Sequence, residues 1–209
     1  MIKLTFILVV LLVFTSCKTK QTPEQEAVNA AKEVQYKLNL QYADKKKSPL
    51  TDADFKKFRS LDFYPVAAKY IITTKFVRND NPVPFELATT TDRKPMYQKY
   101  GTLFFTLDGV ACELSVYQNM ESLKPGAKYK NHIFVPFTDL TTGGESYGGG
   151  RYVDLELPFT SEVIIDFNRA YNPYCAYNHK YSCVIPPEEN DLPVAIKAGV
   201  KAFSHGSDH

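Results

Sequence analysis

The chain has little net charge, few cysteines and no apolar run long enough to cross a bilayer. A formal charge of +2 over 209 residues leaves no electrostatic footprint for nucleic acid or for an acidic surface, so a nucleic-acid partner is not expected. Lys45, Lys46 and Lys47 form the one basic cluster, which reads as a solvated loop. The longest apolar stretch, Leu4 to Phe14 broken only by Thr5, falls short of the roughly 20 residues a membrane helix needs. A mechanistic motif is missing too. The glycine-rich "TTGGESYGGGRY" leads into a strand and lacks the Lys-Ser/Thr pair of loops that cradle phosphate. No cofactor is implied, and no metal.

The amino terminus carries an address. Met1-Ile2-Lys3 is a short positive start, the apolar run follows, and "FTSC" closes it with small residues before Cys17. That is the pattern of a secretory signal, and it resembles a bacterial lipobox in which Cys17 becomes the lipid-bearing first residue. Residues 1–16 are then the signal and 17–22 a tether. Several acyl chains on one cysteine hold a protein to a membrane far better than one chain does. The expected location is the cell envelope, on the periplasmic side of the outer membrane. The partners to expect there are the membrane itself and a small-molecule ligand or an envelope protein.

Residues 23–209 suffice for one domain, given the usual size of about 150 residues. Thr22-Pro23-Glu24-Gln25 reads as a helix start, with threonine as N-cap and proline at the first helical position. Ala27, Ala31, Val34, Leu38 and Tyr42 follow as one apolar stripe. A second short helix begins at Thr51, places Phe55, Phe58 and Leu61 on one side, and stops before Pro65.

From Lys69 onward the apolar period is two. Tyr70–Val77, Thr102–Leu107 and Val110–Tyr117 read as strands, the last two joined by Asp108-Gly109, a strong hairpin signal. Ile133, Val135 and Phe137 alternate, as do Val153, Leu155 and Leu157 against Tyr152, Asp154 and Glu156, and then Val163, Ile165 and Phe167. One dry and one wet face predict an antiparallel sheet. The expected fold is mainly β (α+β), a meander closing into a barrel or folding into a sandwich, with one or two N-terminal helices.

Four stretches, "SPLTDADFKKFRSLDFYP", "YGTLFFTLDG", "FVPFTDLTTGGESYGGGRYVDLEL" and "DFNRAYNPYCAYNHKYSCVIPPEENDLPVAIKAG", resemble in order and spacing the blocks of the domain-of-unknown-function 1684 family. The resemblance runs from about Ser48 to Lys201 and implies no activity. The chain departs from it at Val200, where the family usually has glutamate, and at Asp191, where an arginine is common.

Candidate site residues gather late in the chain. Cys175-x3-His179-x3-Cys183 would make three soft zinc ligands on a helix, but Pro173 and Pro186-Pro187 argue against a helix there. Cys175 or Cys183 with His179 as base is a second reading, and it lacks a group to orient the imidazole. The favoured expectation is a Cys175–Cys183 disulfide, which would stabilise by about 2.6 kcal/mol in the chain-entropy model. Glu145 and Tyr147 on the glycine-rich loop, with Arg151, could close over a ligand as a lid. If β-strands on either side of Thr160 form a hairpin, Arg151 and Arg169 sit at the mouth of the dry face, near Asn168, Asn172 and Tyr177. Asp154 and Asp166 would then face each other on the far side. Two functions follow: a noncatalytic ligand-binding or assembly module using these residues, or a hydrolase using Asp154 with Asp166, or Cys175 with His179.

Overall fold

The computed structural model describes residues 21–204. Cys17, with the signal and most of the tether, lies outside the described residues. The first helix, α1, runs Pro23–Ala43, and Thr22 caps it by accepting from the Gln25 N–H at 3.2 Å. Its stripe is buried at Ala31 and Tyr42. α2 (Asp52–Lys57) starts at Thr51, whose hydroxyl oxygen accepts from the Asp54 N–H, and stops at Phe58.

Seven strands follow: β1 (Ile71–Arg78), β2 (Phe85–Glu86), β3 (Met96–Leu107), β4 (Val110–Asn119), β5 (His132–Phe137), β6 (Arg151–Glu156) and β7 (Glu162–Asp166). All pair antiparallel, in the order β6-β5-β4-β3-β1-β7 with β2 added on β3. The β3–β4 hairpin turns at Asp108 and Gly109, with φ of 50° and 80°, the pair of positive angles that a two-residue turn matching strand twist requires. Gly101 marks an irregularity in β3, where a Cβ would lie 2.4 Å from both the Phe76 ring and the Val77 carbonyl oxygen.

The sheet curls so that its two end strands approach, giving an open half-barrel. Of the β architectures expected, this is nearer the barrel than the sandwich. The expected hairpin of β6 with β7 does not form. β7 pairs with β1 and β6 with β5, at opposite ends of the strand order. Leu157 to Ser161 therefore crosses the gap rather than making a tight turn, and Asp154 never faces Asp166 across a ladder.

One face of the sheet carries Leu103, Phe105, Leu114, Val116, Ile133, Val135, Phe137, Val153 and Ile165. The C-terminal strap fills it, inserting Leu192, Val194, Ile196 and Ala198. The other face is not simply wet. Tyr117, Phe134 and Tyr152 are buried there too, because residues 85–97 and the tail 171–185 lie over it with Leu87, Tyr171 and Val184.

Two buried polar devices fix the strap. Asn190 accepts from the Ser115 N–H (2.8 Å) and donates to the carbonyls of Ser115 (2.9 Å) and Pro136 (2.6 Å). Arg151, fully buried, donates through Nη2 to Asp139 Oδ2 (2.6 Å) and the Ile196 carbonyl (2.8 Å), and through Nη1 to the Ala198 carbonyl. Asp139 Oδ1 in turn accepts from the N–H groups of Thr141 (2.7 Å) and Ile196 (3.3 Å). Arg151 lies on the dry face, as residue parity predicts, but there it ties a buried knot and is not at a pocket mouth.

Asn190→Ala leaves one N–H and two carbonyls buried without that partner, and is expected to cost about 3 kcal/mol or more in urea unfolding. Arg151→Met strands the Asp139 carboxylate, with an expected cost of about 3–5 kcal/mol, while Arg151→Met with Asp139→Leu costs clearly less than the sum of the singles in the same assay.

Candidate functional site

A cavity of about 570 Å³ opens on the second face of the sheet. α1 supplies Leu38, Gln41 and Tyr42, and the sheet supplies Tyr97, His132, Phe134, Tyr152 and Asp154. The loop before β3 adds Arg93, and the tail adds Tyr171, Pro173, Tyr174 and Tyr181 to Val184. Its walls are mostly rings. Phe134 and Tyr152 meet edge to face at 4.7 Å, Tyr152 and Tyr171 at 5.7 Å, and Tyr174 tilts on Tyr181 at 5.2 Å.

Polar groups converge between these rings. His132 Nε2 lies 2.8 Å from Asp154 Oδ1, and the Tyr171 hydroxyl donates to Asp154 at 2.9 Å. The hydrogen bond to Asp154 raises the His132 pKa above its usual value despite partial burial. Burial and the adjacent Asp154 carboxylate keep the Tyr171 hydroxyl protonated. Arg93 is exposed and donates through Nε and Nη2 to the Ser182 side chain and carbonyl, both at 3.0 Å. Among the described residues it makes no ion pair. Tyr42, a wall residue with no exposed surface, leaves its hydroxyl without a hydrogen-bond partner.

The expected site residues divide. Tyr147 and the two cysteines sit behind this cavity, with Cys183 in its wall. Tyr177 is buried against Tyr42 (4.9 Å, edge to face) and Phe203. Asn168 is spent on structure: it accepts from the Ala67 N–H and donates to the Ala67 carbonyl, both at 3.0 Å. Asn172 donates to the Lys201 carbonyl. Glu145 is exposed, paired with Lys197 (3.0 Å) and accepting from the Tyr64 hydroxyl. Neither Glu145 nor Tyr147 of the glycine-rich loop lines the aromatic cavity. The loop's turns are closed by Gly144 N–H to the Thr141 carbonyl and Gly150 N–H to the Tyr147 carbonyl. Gly150, at φ 79°, could not carry a Cβ, which would lie 2.6 Å from the Phe137 carbonyl oxygen.

Cys175 and Cys183 are both free, buried thiols, so the expected disulfide is not what the structure holds. His179 is exposed, and Cys175 meets Cys183 and Tyr147. Among the described residues no group of three or more His, Cys, Asp or Glu is arranged to hold a metal. Arg169 is exposed and lines a second crevice, about 490 Å³, between α1 and the two end strands, together with Asp154 and Asp166. Burial raises the Asp166 pKa, partly offset by two hydrogen bonds from Asn168.

Arg93, His132, Tyr97, Tyr174 and Tyr181 were missed in the sequence. The density of tyrosine at 171, 174, 177 and 181 was the available signal for an aromatic wall. Since the folded-state pKa of His132 is raised, its contribution to stability is complete below about pH 6.5 and is lost as pH rises through the higher folded value. His132→Gln should therefore flatten the fall in Tm expected of the parent as pH rises above about 6.5, read by thermal melts at constant ionic strength.

Comparison with known proteins adds the lineage. The family model described as "Protein of unknown function (DUF1684)" matches residues 56–201. The solution NMR structure of an uncharacterized protein of Haloarcula marismortui is similar, at 31% identity and a TM-score of 0.66, over 84% of this chain and 94% of that one. A search of curated proteins finds no match. A family model spanning this much of the chain, with a related structure of the same fold, establishes that the chain belongs to the DUF1684 family.

Proposed function

We propose that the protein is a lipid-tethered binding module of the cell envelope that holds a small, flat, amphipathic ligand with an anionic group. The aromatic cavity carries this reading. Its volume of about 570 Å³ lies in the range of small-molecule sites, and its composition, ring walls with few convergent polar groups, is theirs as well. Flat faces suit the walls of Tyr97, Phe134, Tyr152 and Tyr171. Arg93 and the His132–Asp154 pair supply a cation and a polarised donor at the same opening. The tether rests on the Cys17 pattern alone. No helix among the described residues is long and apolar enough to cross a membrane.

A hydrolase reading keeps one specific support, the shared crevice of Asp154 and Asp166 beside Arg169. Asp154 there is already engaged by His132 and Tyr171, which suits a positioning role better than that of a free base.

Protein purified from its own envelope and weighed intact under native conditions is expected to carry a small molecule. Arg93→Ala should reduce its occupancy by about tenfold, the worth of one charged hydrogen bond. Empty protein from that envelope would refute the binding role. Cys17→Ser should move the protein from the membrane to the soluble extracytoplasmic fraction on cell fractionation.

A further inference from the structure

Among the described residues three cysteines are buried, and two of them share a site. Cys112 sits on the dry face of β4, where burial pushes its thiol pKa up. Cys175 and Cys183 face each other instead. The Cys175 N–H donates to Cys183 Sγ at 3.1 Å, and the Tyr147 hydroxyl lies 3.8 Å from Cys175 Sγ. Coupling between the two adjacent thiols lowers the first ionisation of the pair, to about 6, so the pair shares one proton at neutral pH, and the Cys175 N–H directed at Cys183 Sγ favours the charge there. The titratable groups facing it are Tyr147, pushed up to about 12 by burial, and Tyr152, also raised. Arg93, His132 and Asp154 stand elsewhere in the wall of the cavity that Cys183 lines.

A staple is not needed at this place. The chain around Cys183 is already pinned to residues 88–93: the Thr90 N–H donates to the Cys183 carbonyl (2.9 Å), the Cys183 N–H to Thr90 Oγ1 (3.1 Å), and the Ile185 N–H to the Ala88 carbonyl (2.9 Å). Arg93 holds Ser182 from the same side. On the other side Cys175 lies in a 3-10 turn closed by Tyr177 N–H to the Tyr174 carbonyl. Each half of the segment is thus held in place without a sulfur–sulfur bond.

We propose that Cys175 and Cys183 are a redox-active dithiol that passes two electrons to a small-molecule disulfide admitted through the aromatic cavity. Cys183 lines the cavity, and the Cys175 N–H donating to its Sγ favours the thiolate on that sulfur while Cys175 keeps the proton. The Cys183 thiolate attacks one sulfur of R–S–S–R, whose S–S bond breaks and releases R–S⁻. Cys175 then gives up its proton and attacks Cys183 Sγ in the mixed disulfide, closing the Cys175–Cys183 bond and expelling the second R–S⁻. With one further proton from water, the products are the protein disulfide and two R–SH. The inference is independent of which ligand the cavity otherwise binds.

The test uses reduced full-length protein and bis(2-hydroxyethyl) disulfide, with thiols counted by maleimide labelling and peptide mapping. Cys175 and Cys183 should be lost together from the folded protein and recovered as one linked peptide, with Cys112 untouched. The rate should be level from about pH 7 to 8.5 and fall about tenfold per unit only below about pH 6, whereas an ordinary thiol still gains severalfold between pH 7 and 8. Cys175→Ser should trap a hydroxyethylthio adduct on Cys183. Loss of these thiols only after denaturation, or an ordinary thiol pH profile in the parent, overturns the proposal, as does a purified protein whose bond resists glutathione while folded. The parent's profile decides the matter even if the variant does not fold.

Discussion

A guanidinium with no exposed surface has to be answered inside the protein, and Arg151 is answered by two separate pieces of chain. Its partners are the Asp139 carboxylate after β5 and the carbonyls of Ile196 and Ala198 in the strap. Such a pair gains little over a well-packed apolar substitute, but leaving either member alone is costly. The knot therefore works as a constraint on arrangement. With Arg151 at the start of β6, the strap can lie in one register only, and that register delivers Leu192, Val194, Ile196 and Ala198 to the core. Asn190 repeats the logic one step earlier, against β4 and β5.

The aromatic side of the sheet inherits this order. With the strap seated on the first face, the preceding segment of tail must pass around to the second, where it lays Tyr171, Cys183 and Val184 over Phe134 and Tyr152. Sheet surface that the period-two pattern assigns to water thus becomes a second apolar layer with a cavity in it. The cavity exists because the cover is made of irregular chain, whose side chains do not interdigitate with the strands as a second sheet would.

How much of this could be read in the sequence follows the range of each interaction. Local ones were plain: Thr22 and Thr51 as caps, Asp108-Gly109 as the turn, and the core face of Val110–Tyr117 all depend on residues within a few positions of each other. The β6–β7 pairing failed because strands close in sequence need not be neighbours in a curled sheet, and nothing in "LPFTSE" states that the chain crosses a gap. Parity placed Arg151 inward but could not name Asp139. The cavity was hidden for the same reason. Arg93, His132 and Tyr181 come from segments about forty to fifty residues apart, each unremarkable alone, and they meet only once the tail has been folded back.

α1 forms one wall of the aromatic cavity through Leu38, Gln41 and Tyr42, and one wall of the crevice at the sheet ends through Ala27, Ala30 and Val34. It buries few residues completely, which places it among the elements that open at modest free energy. Occupancy at either opening that favours one seating of this helix must then be felt at the other with equal strength and the same sign, since linkage between two sites is reciprocal. The half-barrel has, in effect, one wall serving two compartments.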